Sequence, residues 1–233
     1  MSNNSKSFIN TDGFDHFFTW NKSKKLLDLY LKRVRQEFPE MECAAQAAEI
    51  LKSLSKPGDS ILDVACGTGY AYHSIKKRCP EIEYFGIDAN NEFIKNGNKV
   101  LSKHGLNSRL KNLRVEDFRG EFDHILCMNF LSNIENYHKN LERMLLSTKK
   151  SLILRESINE KNDYKYVVDK YLDDKNNNLS VYVNTYDIKE FIEFIQSYNF
   201  DVKIIKDKRT SGKKEMIIDY PHYWKFILAT KKT

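Results

Sequence analysis

Ile61-Leu62-Asp63-Val64-Ala65-Cys66-Gly67-Thr68-Gly69-Tyr70, followed by Phe85-Gly86-Ile87-Asp88, decides the fold. An apolar run ends in a Gly-x-Gly turn, a helical segment follows, and a second apolar run ends in an acid about 20 residues on. That order describes a strand, a turn, a helix and a second, parallel strand. The glycines open the turn at the carboxyl end of the first strand, and the acid marks the same end of the second. In an open α/β sheet this is the edge where ligands bind.

The residues of the turn narrow the ligand. A dinucleotide fingerprint needs a third glycine three positions beyond the second, but Gly69 is followed by Tyr70, Ala71 and Tyr72. A phosphate-gripping loop would need Gly-Lys-Ser/Thr, also absent. Asp63, in front of the turn, is poor company for a pyrophosphate and a good partner for a cationic ligand. Asp88 can accept both hydrogens of a vicinal diol and would reject a 2′-phosphate. A third run leads into Val115-Glu116-Asp117-Phe118, where Asp117 can accept from an exocyclic amine and Phe118 can cover a ring face. The ligand so described is cationic and carries an adenosine.

Working outward, the alternation continues. Strands are predicted at residues 60–64, 83–87, 113–115, 124–128 and 152–154, with helices at 71–77, 91–104 and 139–146. Right-handed crossovers then bring the carboxyl ends of the strands to one edge. Beyond a polar stretch at 159–178, a helix (186–198), a strand (201–205), a charged loop and a last strand (224–229) close the chain. The expected class is α/β: a seven-stranded, mostly parallel sheet with a C-terminal antiparallel hairpin, helices on both faces and an N-terminal helical lid. Residues 1–56 are read as the lid or cap and 57–233 as the core, with a lid insertion near 157–185, in a single domain overall.

This ensemble resembles the class I S-adenosylmethionine-dependent methyltransferases, whose sheet is Rossmann-like. Residues 63–69 look like their glycine-rich first motif, Asp88 like their ribose-binding acid, and Asp117-Phe118 like their adenine pair. Residues 123–129 look like their fourth strand. The resemblance covers about residues 60–156. It implies S-adenosyl-L-methionine as cofactor and S-adenosyl-L-homocysteine as product. The cofactor residues implied are Asp63, Ala65, Cys66, Gly67, Gly69, Tyr70, Asp88, Ala89, Asp117, Phe118 and Asn129. There are departures: Ser147-Thr148-Lys149-Lys150 replaces the Lys-Pro-Gly-Gly turn of many small-molecule enzymes, and Leu131-Ser132-Asn133 lacks their histidine. Met128-Asn129-Phe130-Leu131 is not the Asn/Asp-Pro-Pro-Tyr/Phe of enzymes that methylate amino groups of DNA bases and glutamine.

Methyl transfer from a sulfonium asks the protein to align nucleophile and methyl group and to exclude water. A hydroxyl or protonated amine also benefits from a base. His222, at the head of the last strand, is the first choice. Arg155 and Glu156, read as the end of the fifth strand, are expected to bind an anionic or hydroxylated substrate, and Asn133 to offer a neutral hydrogen bond. Phe18 and Trp20, with Phe14, His16 and Phe17, are expected to fold over the site. Tyr164, Tyr166, Tyr171 and Tyr182 furnish the second lid.

Composition sets the remaining bounds. A chain of 233 residues with 41% hydrophobic and 12% aromatic content buries a substantial core. No apolar run approaches the roughly 18 to 20 residues of a membrane span, and residues 1–10 lack the apolar core of a secretory signal. Cys43, Cys66, Cys79 and Cys127 are scattered, without metal-ligand spacing, so free thiols in the cytoplasm and no metal are expected. The net charge of +6 comes with acids interleaved among basic doublets, the pattern of a solvated surface rather than a nucleic-acid face. The expected function is methyl transfer to an oxygen or nitrogen of a small molecule, a bacterial metabolite or sugar. An RNA or protein methyltransferase is the alternative. An NAD-dependent reductase or a non-catalytic S-adenosylmethionine-binding module is disfavoured by the turn and its intact acids.

Overall fold

The apolar runs on either side of the glycine turn lie side by side. In the computed structural model, which describes residue 20, residues 23–172 and residues 179–232, β1 (Ser60–Val64) pairs in parallel with β2 (Glu83–Asp88). On its other side β1 pairs with β4 (Phe122–Met128), which in turn pairs with β5 (Thr148–Asn159). β3 (Leu110–Asn112) adds to β2 at one edge. At the other edge β12 (Trp224–Lys231) inserts antiparallel between β5 and β9 (Phe200–Lys206). The order β3-β2-β1-β4-β5-β12-β9 is the expected mostly parallel sheet with an antiparallel ending, and β8 (Tyr186–Asp187) extends it beside the end of β5. Strand order reverses between β1 and β4, which opens a crevice above their carboxyl ends.

Alternation along each strand feeds two apolar layers. Ile61 faces α2 (Glu42–Lys52), α3 (Ala71–Arg78) and α4 (Asn91–Leu101), packing with Ala44, Ala48, Leu51, Ile75 and Leu101. Its neighbour Leu62 faces the other layer, where α5 (His138–Leu146) and α6 (Ile188–Gln196) bring Leu141, Leu145, Phe191 and Ile195. So far as the N-terminal segment is described, its two helices differ. α2 buries Cys43, Ala44, Ala47, Ala48 and Leu51 in the core, whereas α1 (Lys24–Val34) buries little and crosses above the glycine turn.

Several elements differ from the sequence reading. The third strand lies at Leu110–Asn112 rather than 113–115, because Asn98 brackets Leu110 through its amide, donating to the carbonyl at 2.9 Å and accepting from the N–H at 3.2 Å. β5 is 12 residues long, since both its faces are covered. The insertion and the charged loop each contain a hairpin: β6 (Tyr166–Val168) with β7 (Ser180–Tyr182), and β10 (Glu215–Ile217) with β11 (Tyr220–His222).

The amino-terminal edge of the sheet is closed by a polar latch. His124 Nε2 lies 3.0 Å from Asp59 Oδ2, its Nδ1 lies 2.7 Å from Ser151 Oγ, and Lys150 donates to Asp59 Oδ1 at 2.6 Å. Burial holds the His124 imidazole below its ordinary pKa. Among the described residues no helix is long and apolar enough to cross a membrane.

Candidate active site

A cavity of about 1290 Å³ lies over the carboxyl ends of the central strands. One ligand typically takes a pocket of roughly 300–1,000 Å³, so this space suits two molecules side by side. One end is built by the glycine turn and the end of β2, the other by β5, β12 and the two hairpins.

At the first end the chain turns sharply through positive φ at Ala65 (55°), Gly67 (58°) and Gly69 (76°). Asp88 Oδ2 accepts from the Gly67 N–H at 2.8 Å, and its Oδ1 accepts from Asn90 N–H at 2.8 Å. Burial pushes this carboxyl up to about 6, against the pull of those two donors. Each oxygen keeps a free lone pair for a further donor. Asn90 caps α4 by accepting from Phe93 N–H at 3.1 Å and donates to the Trp20 carbonyl at 3.3 Å, which ties Trp20 to this corner. Above the turn sits Tyr30: a Cβ on Gly67 would come within 3.1 Å of its ring, and Thr68 Oγ1 donates to its carbonyl at 3.0 Å. Arg33 lies over the rings of Tyr30 and Tyr70, at 5.3 and 5.7 Å, and also lines the cavity.

At the second end Asn129 follows β4 in a left-handed conformation (φ 55°). Its N–H donates to the Arg155 carbonyl at 2.8 Å, its side-chain Oδ1 accepts from Arg155 Nη1 at 2.5 Å, and its carbonyl accepts from Asn133 Nδ2 at 2.5 Å. His222 is 3% exposed and stacks on Trp224 with ring centroids 4.8 Å apart. Its Nδ1 lies 3.3 Å from the Tyr220 carbonyl. A carbonyl only accepts, so Nδ1 carries the proton and Nε2 keeps its lone pair. Burial pushes the imidazole below its ordinary pKa, which keeps it neutral near pH 7.

A model of the methyltransferase domain matches residues 55–215, more than half of the chain. The chain belongs to the methyltransferase-domain family. Solved structures share the fold of this methyltransferase at low identity. An S-adenosylmethionine-dependent methyltransferase from Clostridium acetobutylicum matches with a TM-score of 0.61 at 15% identity, over 90% of this chain and 98% of that one. Magnesium protoporphyrin IX methyltransferase from Synechocystis, solved with bound S-adenosylmethionine, gives 0.56 at 12% over 97% and 94%. The 1,6-didemethyltoxoflavin-N1-methyltransferase of Burkholderia thailandensis, solved with 1,6-didemethyltoxoflavin and S-adenosylhomocysteine, gives 0.56 at 14% over 82% and 80%. No curated protein matches the sequence.

Of the residues expected around a cofactor, Ala65, Gly67, Tyr70, Asp88, Ala89, Asp117 and Asn129 line the cavity of the methyltransferase. Four do not. Asp63 lies under the turn, 3% exposed, and accepts from the Tyr84 hydroxyl at 2.6 Å; burial pushes its carboxyl up to about 7. Its partner is Tyr84 on β2, in the core, and not the cavity. The Cys66 thiol points into the core, where a Cβ on Gly86 would meet its Sγ at 2.8 Å. Gly69 packs against Leu101 and Leu110. Phe118 turns toward Phe122, with centroids 5.8 Å apart, while Ile87, Leu113 and Val115 line the cavity.

Among the expected substrate residues, Trp20, Asn133, Arg155 and His222 reach the cavity wall. Glu156 does not. It is fully buried and accepts from the N–H groups of Phe130, Leu131 and Ser132 at 3.1, 3.0 and 2.9 Å, and from the Ser132 hydroxyl at 2.7 Å. β5 runs on to Asn159, so Glu156 is interior to the strand and anchors the turn after β4 instead of meeting a substrate. Phe18, with Phe14, His16 and Phe17, lies outside the described residues. Tyr30 and Arg33 were missed, because an amphipathic helix reads in sequence as packing; the aromatic and arginine on one face, three residues apart, were the available signal.

Proposed function

We propose that this methyltransferase carries a methyl group from S-adenosylmethionine to an oxygen or nitrogen of a small molecule. The observation that carries the reading is the Asp88–Gly67 unit at the switch point of the sheet, opening into a cavity with room for a second molecule. The residues present fit the cofactor. Asp88 has acceptor capacity for a ribose diol, Asp117 can accept from the adenine amine, and Arg33, over the Tyr30 ring at the cavity wall, can meet the methionine carboxylate. Asp88 and Asp117 put acids at this end of the cavity, which suits a ligand bearing a sulfonium and disfavours a pyrophosphate.

The cofactor supplies an electrophilic methyl group on a good leaving group. The protein then has to align the acceptor, exclude water and remove a proton. The stacked His222–Trp224 pair walls the second end, and His222 Nε2 is the base, positioned by the Tyr220 carbonyl through Nδ1. Asn129 and Asn133 offer neutral hydrogen bonds between the two ends. Small acceptors are supported by the substrates named for the structural neighbours, a porphyrin and a toxoflavin precursor.

Calorimetry of the full chain tests the reading. S-adenosylhomocysteine should bind and NADH should not, and Asp88→Ala should abolish the binding. Binding of NADH instead, or an undiminished affinity in Asp88→Ala, overturns the assignment.

A further inference from the structure

Two donors at the acceptor end of the cavity are held in place and left without an acceptor. The first belongs to Arg155, which is fixed on three sides. Its Nε donates to Asp207 Oδ2 at 2.7 Å, its Nη1 donates to Asn129 Oδ1 at 2.5 Å, and its Cζ lies 4.5 Å from the centroid of the Trp224 ring. The Arg155 and Asp207 side chains are fully buried, and the other Asp207 oxygen accepts from the N–H and hydroxyl of Thr210, each at 2.9 Å. Arg155 Nη2 remains, buried and without a partner among the described residues, on a side chain that lines the cavity. A buried donor without an acceptor is costly, and a ligand oxygen placed there removes the cost.

The second donor belongs to Asn129. Arginine only donates, so the Asn129 atom facing Nη1 is the amide oxygen, and the NH2 group is turned away from that contact. Asn129 is half-buried and lines the cavity, and its Nδ2 makes no hydrogen bond among the described residues. Nη2 and Nδ2 each share a carbon with one end of the Nη1–Oδ1 contact, so they lie no more than about 7 Å apart. A carboxylate accepting from both bridges such a span, and a carbonyl oxygen a shorter one. The oxygens of the same network are already engaged: Asn129 Oδ1 by Arg155, the Asn129 carbonyl by Asn133 Nδ2, and both Asp207 oxygens by Arg155 and Thr210. The neighbouring Arg209 is paired with Glu215, whose second oxygen accepts from Trp224 Nε1 at 2.9 Å. This corner therefore offers hydrogens and asks for lone pairs.

We propose that the methyl acceptor carries a carbonyl or carboxylate oxygen, and that Arg155 Nη2 and Asn129 Nδ2 are the two donors that read it. The inference rests on the methyl-transfer reading and names its substrate class. Such an oxygen accepts from both donors and brings no hydrogen of its own. A hydroxyl or an ammonium brings hydrogens to a network whose oxygens are already engaged. Because Asp207 meets the charge of Arg155, the bound oxygen can be neutral or anionic, and the hydrogen bonds rather than a net charge set the preference.

The test uses the full chain saturated with S-adenosylhomocysteine and four aliphatic probes of one length, hexanoate, hexanamide, hexanol and hexylammonium, in ligand-observed NMR titrations. Hexanoate or hexanamide should bind at least about tenfold more tightly than hexanol and hexylammonium, and the better of the two shows whether the oxygen is anionic or neutral. Asn129→Asp keeps an oxygen for Arg155 Nη1, suits the left-handed backbone and replaces the free NH2 by an acceptor. It should cost the favoured probe about tenfold and leave hexanol within about threefold. Arg155→Lys, which keeps a cation for Asp207 and removes Nη2, should do the same; if that variant unfolds, Asn129→Asp carries the test. Hexanol or hexylammonium binding as well as the other two, no binding of any probe, or a ratio unmoved in Asn129→Asp overturns the inference. So does a loss of S-adenosylhomocysteine affinity in Asn129→Asp as large as that of the probe, which gives the two donors to the cofactor. Failure of S-adenosylhomocysteine to bind the unaltered chain in calorimetry is a separate result and sinks the methyl-transfer reading itself.

Discussion

A Cβ placed on Gly97 would stand 2.5 Å from the carbonyl oxygen of Thr68. α4 therefore touches the glycine turn backbone to backbone, and the close approach that a dinucleotide fold draws from its third glycine comes here from a different helix. Gly97→Ala must push α4 off the turn. Overpacking of this kind costs about 1–3 kcal/mol, and thermal unfolding should register it. Because Asp88 and Asn90 sit at the start of α4, affinity for S-adenosylhomocysteine should fall as well. An unchanged melting temperature would show that the backbone yields.

The buried Asp88 carboxyl, pushed up to about 6, should make cofactor binding depend on pH. A ribose diol donates to the ionised form, so affinity is full above pH 6 and declines as pH falls through it, by about tenfold per unit well below the pKa. In the free protein the sign is opposite: an acid with a raised folded pKa gains stability as pH falls toward its unfolded value. Calorimetry between pH 5 and 8 checks the first statement, and Asp88→Asn should bind weakly at every pH.

Acid unfolding should begin at the far edge of the sheet. His124 is held neutral by burial, below its ordinary value. The unfolded chain therefore takes up a proton near pH 6.5 that the fold resists, and stability falls as pH drops below that point. Asp123, held at about 2, and Asp59, also lowered, add stability that is present above about pH 4 and lost below it. Asp63 and Asp88, with raised pKa values, add stability over the same range, so the His124 contribution is read as a difference: urea midpoints of His124→Gln should lose less, or gain more, than those of the native chain as pH falls below 6.5.

Glu156→Gln should behave as a stability variant. The amide replaces an acceptor facing backbone N–H groups with a donor, and a buried unsatisfied group costs about 1–3 kcal/mol. Denaturation should show the loss, while the affinity for S-adenosylhomocysteine in the folded protein changes little.

His222→Gln should lower the methyl-transfer rate to a hydroxyl by about 10² to 10⁴ without weakening S-adenosylhomocysteine. The rate with His222 intact should fall on the acid side as the imidazole protonates, below its ordinary pKa. An equal loss in cofactor affinity would assign His222 to binding instead.

Much of this was legible in the chain because the signals are local. Val64, Gly67 and Asp88 lie within one strand–turn–helix–strand unit, and period-two apolar runs need only neighbouring residues to be read. The acceptor end was less legible. Arg155 and Glu156 look alike as a polar pair, yet they point to opposite faces of β5, one to the cavity wall and one to the turn after β4.

By itself, the sequence determined the parallel core, the ligand edge and the kind of ligand held by the turn, because glycine, acid and apolar spacing act over one turn or one strand. Tertiary structure alone decided that Asp63 is buried against Tyr84, and that Tyr30 comes over Gly67 from α1 with Arg33 over its ring. It also decided that Asp207 and Glu215 cancel the charges of Arg155 and Arg209. Asp207 lies 52 residues from Arg155, and whether two charges meet depends on a distance that only the folded chain sets.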